Sequence, residues 1–246
     1  MTTLPLFARE KEVAAIRQRL AKRRSFLLHG PTGVGKTALL RNLLPDYPEL
    51  LCCPDSSGKL VIFRAIATAL LENNRGASGV LRNADAIKVK SAVSLKGIVL
   101  DLLRTGKYWV VLDHLRMPSH ALAADVQEIV GWAATPVLAI ARSDHMEDVG
   151  FLKPLFPERS DKLEMRNFDE AQAEEFARIV VGQSGLRANN LGEVLQHVLD
   201  WSSGNPGAIV TMLEMAGLAR YRSNENIKIA PLYVDFMLQR SSAAAR

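Results

Sequence analysis

The run Gly30-Pro31-Thr32-Gly33-Val34-Gly35-Lys36-Thr37 matches the spacing G-x-x-x-x-G-K-[ST] at every fixed position. Residue types in this order suit phosphate. Glycines let backbone N–H groups wrap a polyphosphate in conformations and at distances that a side chain would obstruct. A helix starting at the end of the run adds its N-terminal partial positive charge. Lys36 is then placed to reach the β- and γ-phosphates, and the Thr37 hydroxyl to join the shell of a magnesium ion. The cofactors this implies are ATP and Mg2+.

A second stretch, Trp109-Val110-Val111-Leu112-Asp113-His114, carries four apolar residues into a carboxylate. An acid at the end of a buried strand, paired with a phosphate loop, is expected to be the second magnesium ligand, so the metal pair is Thr37 and Asp113. The group that orients or deprotonates water belongs beside that acid, and here the position is His114. A neutral imidazole accepts a proton near physiological pH, and an imidazole also donates to phosphate; the residues leave both roles open. Tight nucleotide binding with slow turnover is the expectation.

These residues need a sheet to hold them. Apolar periodicity and turn residues predict helices over 10–22, 37–44, 59–72, 85–104 and 119–132, alternating with strands over 25–29, 50–53, 108–112, 136–141 and 162–165. The alternation argues for a mainly parallel, five-stranded α/β sheet between helices, with the ligand at the carboxyl ends of its strands. Residues 73–84 read as a polar, glycine-containing loop. Beyond 166 the pattern is helical, with Asp169 as a cap and helices over 190–201, 206–220 and 231–239. The expected organisation is a nucleotide-binding domain at 1–166, whose first 24 residues form an N-terminal segment, and a small helical lid at 167–246 ending in the compositional tail "SSAAAR".

Composition narrows the class. Of 246 residues 48% are apolar and 23% charged, enough for a substantial core, and the net charge of +5 permits nucleic acid without demanding it. Basic residues gather modestly at 17–24 and 88–96, where a solvated helix face is the preferred reading. The N-terminal residues carry no basic-then-apolar leader and no apolar run is long enough to span a bilayer, so a cytoplasmic protein is expected. Cys52 and Cys53 are adjacent, which suits neither an ordinary disulfide nor a metal-ligand spacing, and the five histidines are scattered.

The phosphate loop and the Asp113 strand, with "LFAREKEV" (6–13), "LAIARS" (138–143) and "SSGNPGAIV" (202–210), resemble the AAA+ and STAND ATPases. They are most similar to the border these share with origin-recognition-type, archaeal-type and transposition-regulator ATPases, a P-loop NTPase fold with a helical lid. The resemblance implies that Leu6, Phe7 and Arg9 lie on the adenine side, with Ala8 in place of a usual glycine; a helix entry with a hydrophobic staple is the alternative. It also implies that Arg142 is a sensor facing the γ-phosphate and Arg159 a finger offered to a neighbouring subunit, although each also reads as a surface arginine. Pro206 falls in the Gly-x-Pro turn that brings the lid to the nucleotide. His114 departs from the glutamate or second aspartate usual in these proteins. The function that the resemblance implies is that of a homo-oligomeric, nucleotide-dependent assembly switch, with duplex DNA as a partner in one version and a protein partner without DNA in a STAND-like version.

Overall fold

Apolar residues alternate faces along each short strand, and in a parallel sheet both faces must be covered. The computed structural model, which describes residues 6–56, 58–72, 81 and 83–244, shows this. Five strands, β1 (Phe26–His29), β2 (Leu50–Cys53), β3 (Trp109–Leu112), β4 (Val137–Ala141) and β5 (Lys162–Glu164), form one sheet in the order β2-β3-β4-β1-β5. Every pairing in it is parallel. One face bears Leu27, Leu51, Val110, Val137 and Ala139, which join a core with α3 (Lys59–Glu72), α5 (Ala92–Thr105) and α6 (His120–Gly131). The alternate residues Phe26, Trp109, Val111 and Ile140 are equally buried on the other face. There the guanidinium of Arg19, from α1 (Glu10–Lys22), lies over the Phe26 ring.

Most predicted elements recur with ends shifted by one or two residues, and the differences have local causes. The helix expected over 85–104 is two, α4 (Ala84–Val89) and α5, because Ser91 takes an extended conformation and its hydroxyl accepts the Ser94 N–H. The helix after the glycine-rich loop, α2 (Lys36–Leu43), gives way to a 3₁₀ turn at Leu44–Asp46 that carries Pro45. Of the loop expected at 73–84, residues 73–80 and 82 lie outside the described residues. Leu81 and Asn83 lie in no helix or strand, although Leu81 is fully buried and Asn83 caps α4, so the loop reading fails only at Ala84, where the helix begins.

The chain divides into two compact units. One comprises Arg9–Pro31 and Lys36–Met165 and contains the five-stranded sheet. The other contains the segment ending at Ala8, the loop tip Thr32–Gly35 and the chain from Arg166 onward. In this second unit α8 (Glu170–Ser184) is capped by Asp169 through a reciprocal box with Gln172. With α9 (Leu191–Ser202), α10 (Pro206–Ala216) and α11 (Ile229–Ala244) it encloses a core around Phe176, Val198, Met212 and Tyr221. A two-residue hairpin, β6 (Arg222–Ser223) and β7 (Asn226–Ile227), was not expected from sequence. Nor was the extent of α11, which runs beyond the expected end at 239 and into the "SSAAAR" tail as far as Ala244.

Candidate functional site

β3, β4 and β1 are adjacent, so the residues following their carboxyl ends are neighbours: Asp113, Arg142 and Gly30. The Asp113 carboxylate is buried, with a side-chain exposure of 7%. Its Oδ2 accepts a 3.1 Å hydrogen bond from Thr37 Oγ1, and its Oδ1 accepts the His114 N–H at 2.8 Å. Its backbone is fixed on both sides, since its N–H donates to the Cys53 carbonyl and its carbonyl accepts from the buried hydroxyl of Ser56. Ser56 was not singled out from sequence, where nothing distinguishes it from other loop serines.

Lys36 opens α2 and turns its ammonium back on its own loop, donating to the Gly30 carbonyl at 2.6 Å and to that of Pro31 at 3.0 Å. Burial lowers its pKa to about 8, against the pull of Asp113 and Asp148 in the other direction. A lysine desolvated to this degree and held, among the described residues, by loop carbonyls is matched to an anion.

His114 stands in the left-handed region, at φ +55°, and projects an imidazole that is 65% exposed. Its Nε2 lies 3.6 Å from Asp113 Oδ2, too far for a hydrogen bond. A residue without glycine's freedom in this conformation is held by its surroundings. Leu115 N–H donates to the Ile140 carbonyl and Met117 N–H to that of Asp148. Arg142 does not point free: Nη2 is 3.3 Å from Asp148 Oδ1 and Nε 3.5 Å from Oδ2. Arg159 is exposed at the start of the 3₁₀ turn before β5, and Arg9 is buried with its guanidinium on Glu12.

The second unit supplies the remaining candidates. Gly33 and Gly35 have φ of +85° and +102°, the region open to glycine. Around Gly33 there is also no room, because a Cβ there would lie 2.5 Å from Asn205 Oδ1. The Asn205 side chain accepts the Ala208 N–H as the cap of α10 and donates from Nδ2 to the Thr32 carbonyl at 3.0 Å, while the Gly207 N–H donates to the Gly33 carbonyl at 2.9 Å. Pro206 is buried at the first position of the helix, and Val34 is fully buried. Phe7 packs its ring against Phe168 and Phe176, with centroids 5.6 and 5.8 Å away, and Leu6 is half-buried. Ala8, where the resemblance has glycine, keeps the glycine-type backbone at φ +49°.

A loop of this geometry followed by a helix, with a hydroxyl and a buried carboxylate already in contact, fits a magnesium nucleotide. Thr37 and Asp113 would hold the ion and the loop N–H groups with Lys36 the phosphates. Among the described residues no group of three or more His, Cys, Asp or Glu is placed to bind a metal by itself, so such an ion would draw further ligands from phosphate. The model for the AAA ATPase domain matches residues 5–223. The chain belongs to that family.

This AAA ATPase has no match among curated proteins at the sequence level. It is similar in fold to solved structures. The Walker-type ATPase PABY2304 of Pyrococcus abyssi superposes with a TM-score of 0.64 at 16% identity, over 98% of this chain and 74% of that one. The Aeropyrum pernix ORC1 protein, solved in complex with DNA, gives 0.64 at 18% over 98% and 68%. The Aeropyrum pernix ORC2 protein, solved as ADPNP–ADP complexes, gives 0.60 at 12% over 95% and 69%. The expected P-loop fold near the origin-recognition-type ATPases is therefore found, with its mainly parallel five-stranded sheet and a helical C-terminal region. No helix among the described residues is long and apolar enough to cross a membrane.

Proposed function

We propose that this AAA ATPase binds ATP with magnesium and works as a nucleotide-dependent assembly switch with slow hydrolysis. The observation that carries the reading is the hydrogen bond from Thr37 Oγ1 to Asp113 Oδ2 beside a lysine with no acidic side-chain partner among its hydrogen bonds. Lys36 exchanges two loop carbonyls for phosphate oxygens, while Thr37 and Asp113 orient toward the ion. Magnesium, when bound, neutralises charge on the β- and γ-phosphate oxygens. Asp113 stays aligned through the His114 N–H. His114 is the group next to the attacking water, and its ring, 65% exposed and without a hydrogen bond among the described residues, is the reason turnover is slow. Arg159, exposed on the sheet unit, is offered to the nucleotide of a second copy. Leu6, Phe7, Arg9 and Pro206 are the candidates for the base side in this reading, with residues 1–166 as the nucleotide-binding domain and 167–246 as the lid.

Duplex DNA is the partner in the first version of this reading. It is supported by the net charge of +5 and by the likeness in fold to a protein solved on DNA. A second version, recruitment of a protein, is favoured by how the basic clusters spend their charge. Arg17 pairs with Asp46, Arg19 caps the carbonyls of Ala15, Ser160 and Lys162, Arg23 bonds that of Tyr108, and Arg24 pairs with Asp161. Lys96 is held between Asp125 and Glu128, and Lys88 bonds Asp85. The decisive experiment sizes the protein with ATP, a non-hydrolysable analogue or ADP, each with and without duplex DNA. ATP-dependent growth that is larger on DNA and sensitive to salt supports the first version. Growth indifferent to DNA supports the second, and a size indifferent to nucleotide overturns both.

A further inference from the structure

Arg142 and Asp148 are unequally anchored. The arginine side chain is 59% exposed and the carboxylate 8%. Asp148 is held where it is: besides Arg142 it accepts Ser143 Oγ at 2.6 Å, and that oxygen accepts the His145 N–H. Its main-chain carbonyl takes the Met117 N–H, and two residues on Gly150 lies so close that a Cβ would approach the Pro118 carbonyl to 2.8 Å. The segment around Asp148 therefore grips the loop after Asp113, in which His114 and Met117 both hold positive φ. Asp148 also stands near enough to Lys36 to act on its charge.

A buried carboxylate needs its counter-charge, and a guanidinium offers the same planar fork to carboxylate or phosphate. We propose that Asp148 is a positioning residue that holds Arg142 in reserve and competes for it with the terminal phosphate of a bound nucleoside triphosphate. The idea rests on the proposed ATP binding and names its regulation. A diphosphate makes no claim on Arg142. A triphosphate that takes it leaves Asp148, among the described residues, with the Ser143 hydroxyl, so part of the triphosphate's binding advantage is used to separate the pair. Asp148 thus lowers discrimination between the two nucleotides, and the release of its charge is felt at the Met117 end of the His114 loop.

The test measures dissociation constants for ADP and for a non-hydrolysable ATP analogue, with magnesium, in the wild-type protein, Asp148→Asn, Arg142→Ala and the double variant. Asp148→Asn keeps an acceptor for Ser143 and removes the charge. It should tighten analogue binding about tenfold and change ADP binding less than about twofold, and the gain should vanish in the Arg142→Ala background. Asp148→Ser, with a hydroxyl in place of the carboxylate, gives the same comparison if the asparagine variant does not fold. Equal losses for both nucleotides, or a gain that survives without Arg142, would overturn the proposal. A wild-type protein that binds neither nucleotide would bring down the ATP reading itself, and this one with it.

Discussion

Thr37 Oγ1 and Asp113 Oδ2 are 3.1 Å apart, a hydrogen bond joining the first turn of α2 to the end of β3 across 76 residues of sequence. The two residues proposed as magnesium ligands are thus in contact with each other. Replacing Asp113 by Ala should cut magnesium-dependent ATP hydrolysis by at least about a hundredfold, the scale of a lost charge-stabilising group in a dry site. Binding of ADP without magnesium should survive. Titrations with and without the ion, beside a phosphate-release assay, check both. Loss of metal-free binding would mean that Asp113 organises the loop rather than the metal.

His114 combines a strained backbone with an unfixed side chain. A left-handed residue with a Cβ costs about 1–2 kcal/mol, and glycine removes that cost while giving back some chain entropy. His114→Gly should therefore raise the melting temperature by a few degrees, from a net gain of about 1 kcal/mol, yet lower turnover because the imidazole is gone. His114→Glu should instead raise turnover about tenfold or more. If both variants hydrolyse ATP at the wild-type rate, the ring plays no part near the water.

Burial places the Lys36 pKa at about 8, against 10.5 for the free side chain. Between these values the unfolded chain holds more protons than the folded one, so stability rises with pH over that window, and below about 8 the cost of burying the charged lysine is present in full and independent of pH. Phosphate reverses the bias by restoring the charged form. Nucleotide binding near pH 8 should then take up about half a proton, and affinity should fall as pH climbs above 8. Calorimetry in buffers of different ionisation enthalpy reads the uptake directly. Lys36→Met should abolish it together with tight binding.

The parts of this molecule that sequence made legible are those in which one short stretch contains its own cause. The strand at Leu50–Cys53 and the helix at Lys59–Glu72 have the ends read from periodicity, and Asp169 caps α8 as expected. The loop from Gly30 to Thr37 is a motif because each fixed residue meets a backbone or phosphate constraint nearby. The rest depends on contacts between distant residues. Nothing local marks Ser56 as the donor to the Asp113 carbonyl, or Asp148 among the chain's acids as the buried partner of Arg142. Asn205 reads as a helix cap, but its second bond, to Thr32, spans 173 residues. The basic runs at 17–24 and 88–96 looked available to a polyanion because the carboxylates and carbonyls that hold them come from elsewhere in the chain.

The loop tip and the start of α10 approach at two glycines, and this contact is open to a direct test. Gly207 has an ordinary helical role, yet a Cβ there would meet Gly33 Cα at 2.8 Å and the Gly33 carbonyl at 3.0 Å. Both are backbone atoms and cannot swing away. Gly207→Ala should break the bond from its N–H to the Gly33 carbonyl and displace the tip, costing about 1–3 kcal/mol of stability. Nucleotide affinity should drop by about tenfold or more, since the misplaced N–H groups are those proposed to bind phosphate. Gly182→Ala is the matched control, because that glycine lies exposed in α8 and an added Cβ would meet no atom within 4 Å. It should stabilise by about 0.5–1 kcal/mol and leave affinity unchanged. Thermal melts and ADP titrations of the two variants separate a contact at the phosphate loop from a general effect of adding a methyl group to a helix. Unchanged affinity in Gly207→Ala would show that the turn at Asn205–Gly207 packs against the loop without setting its shape.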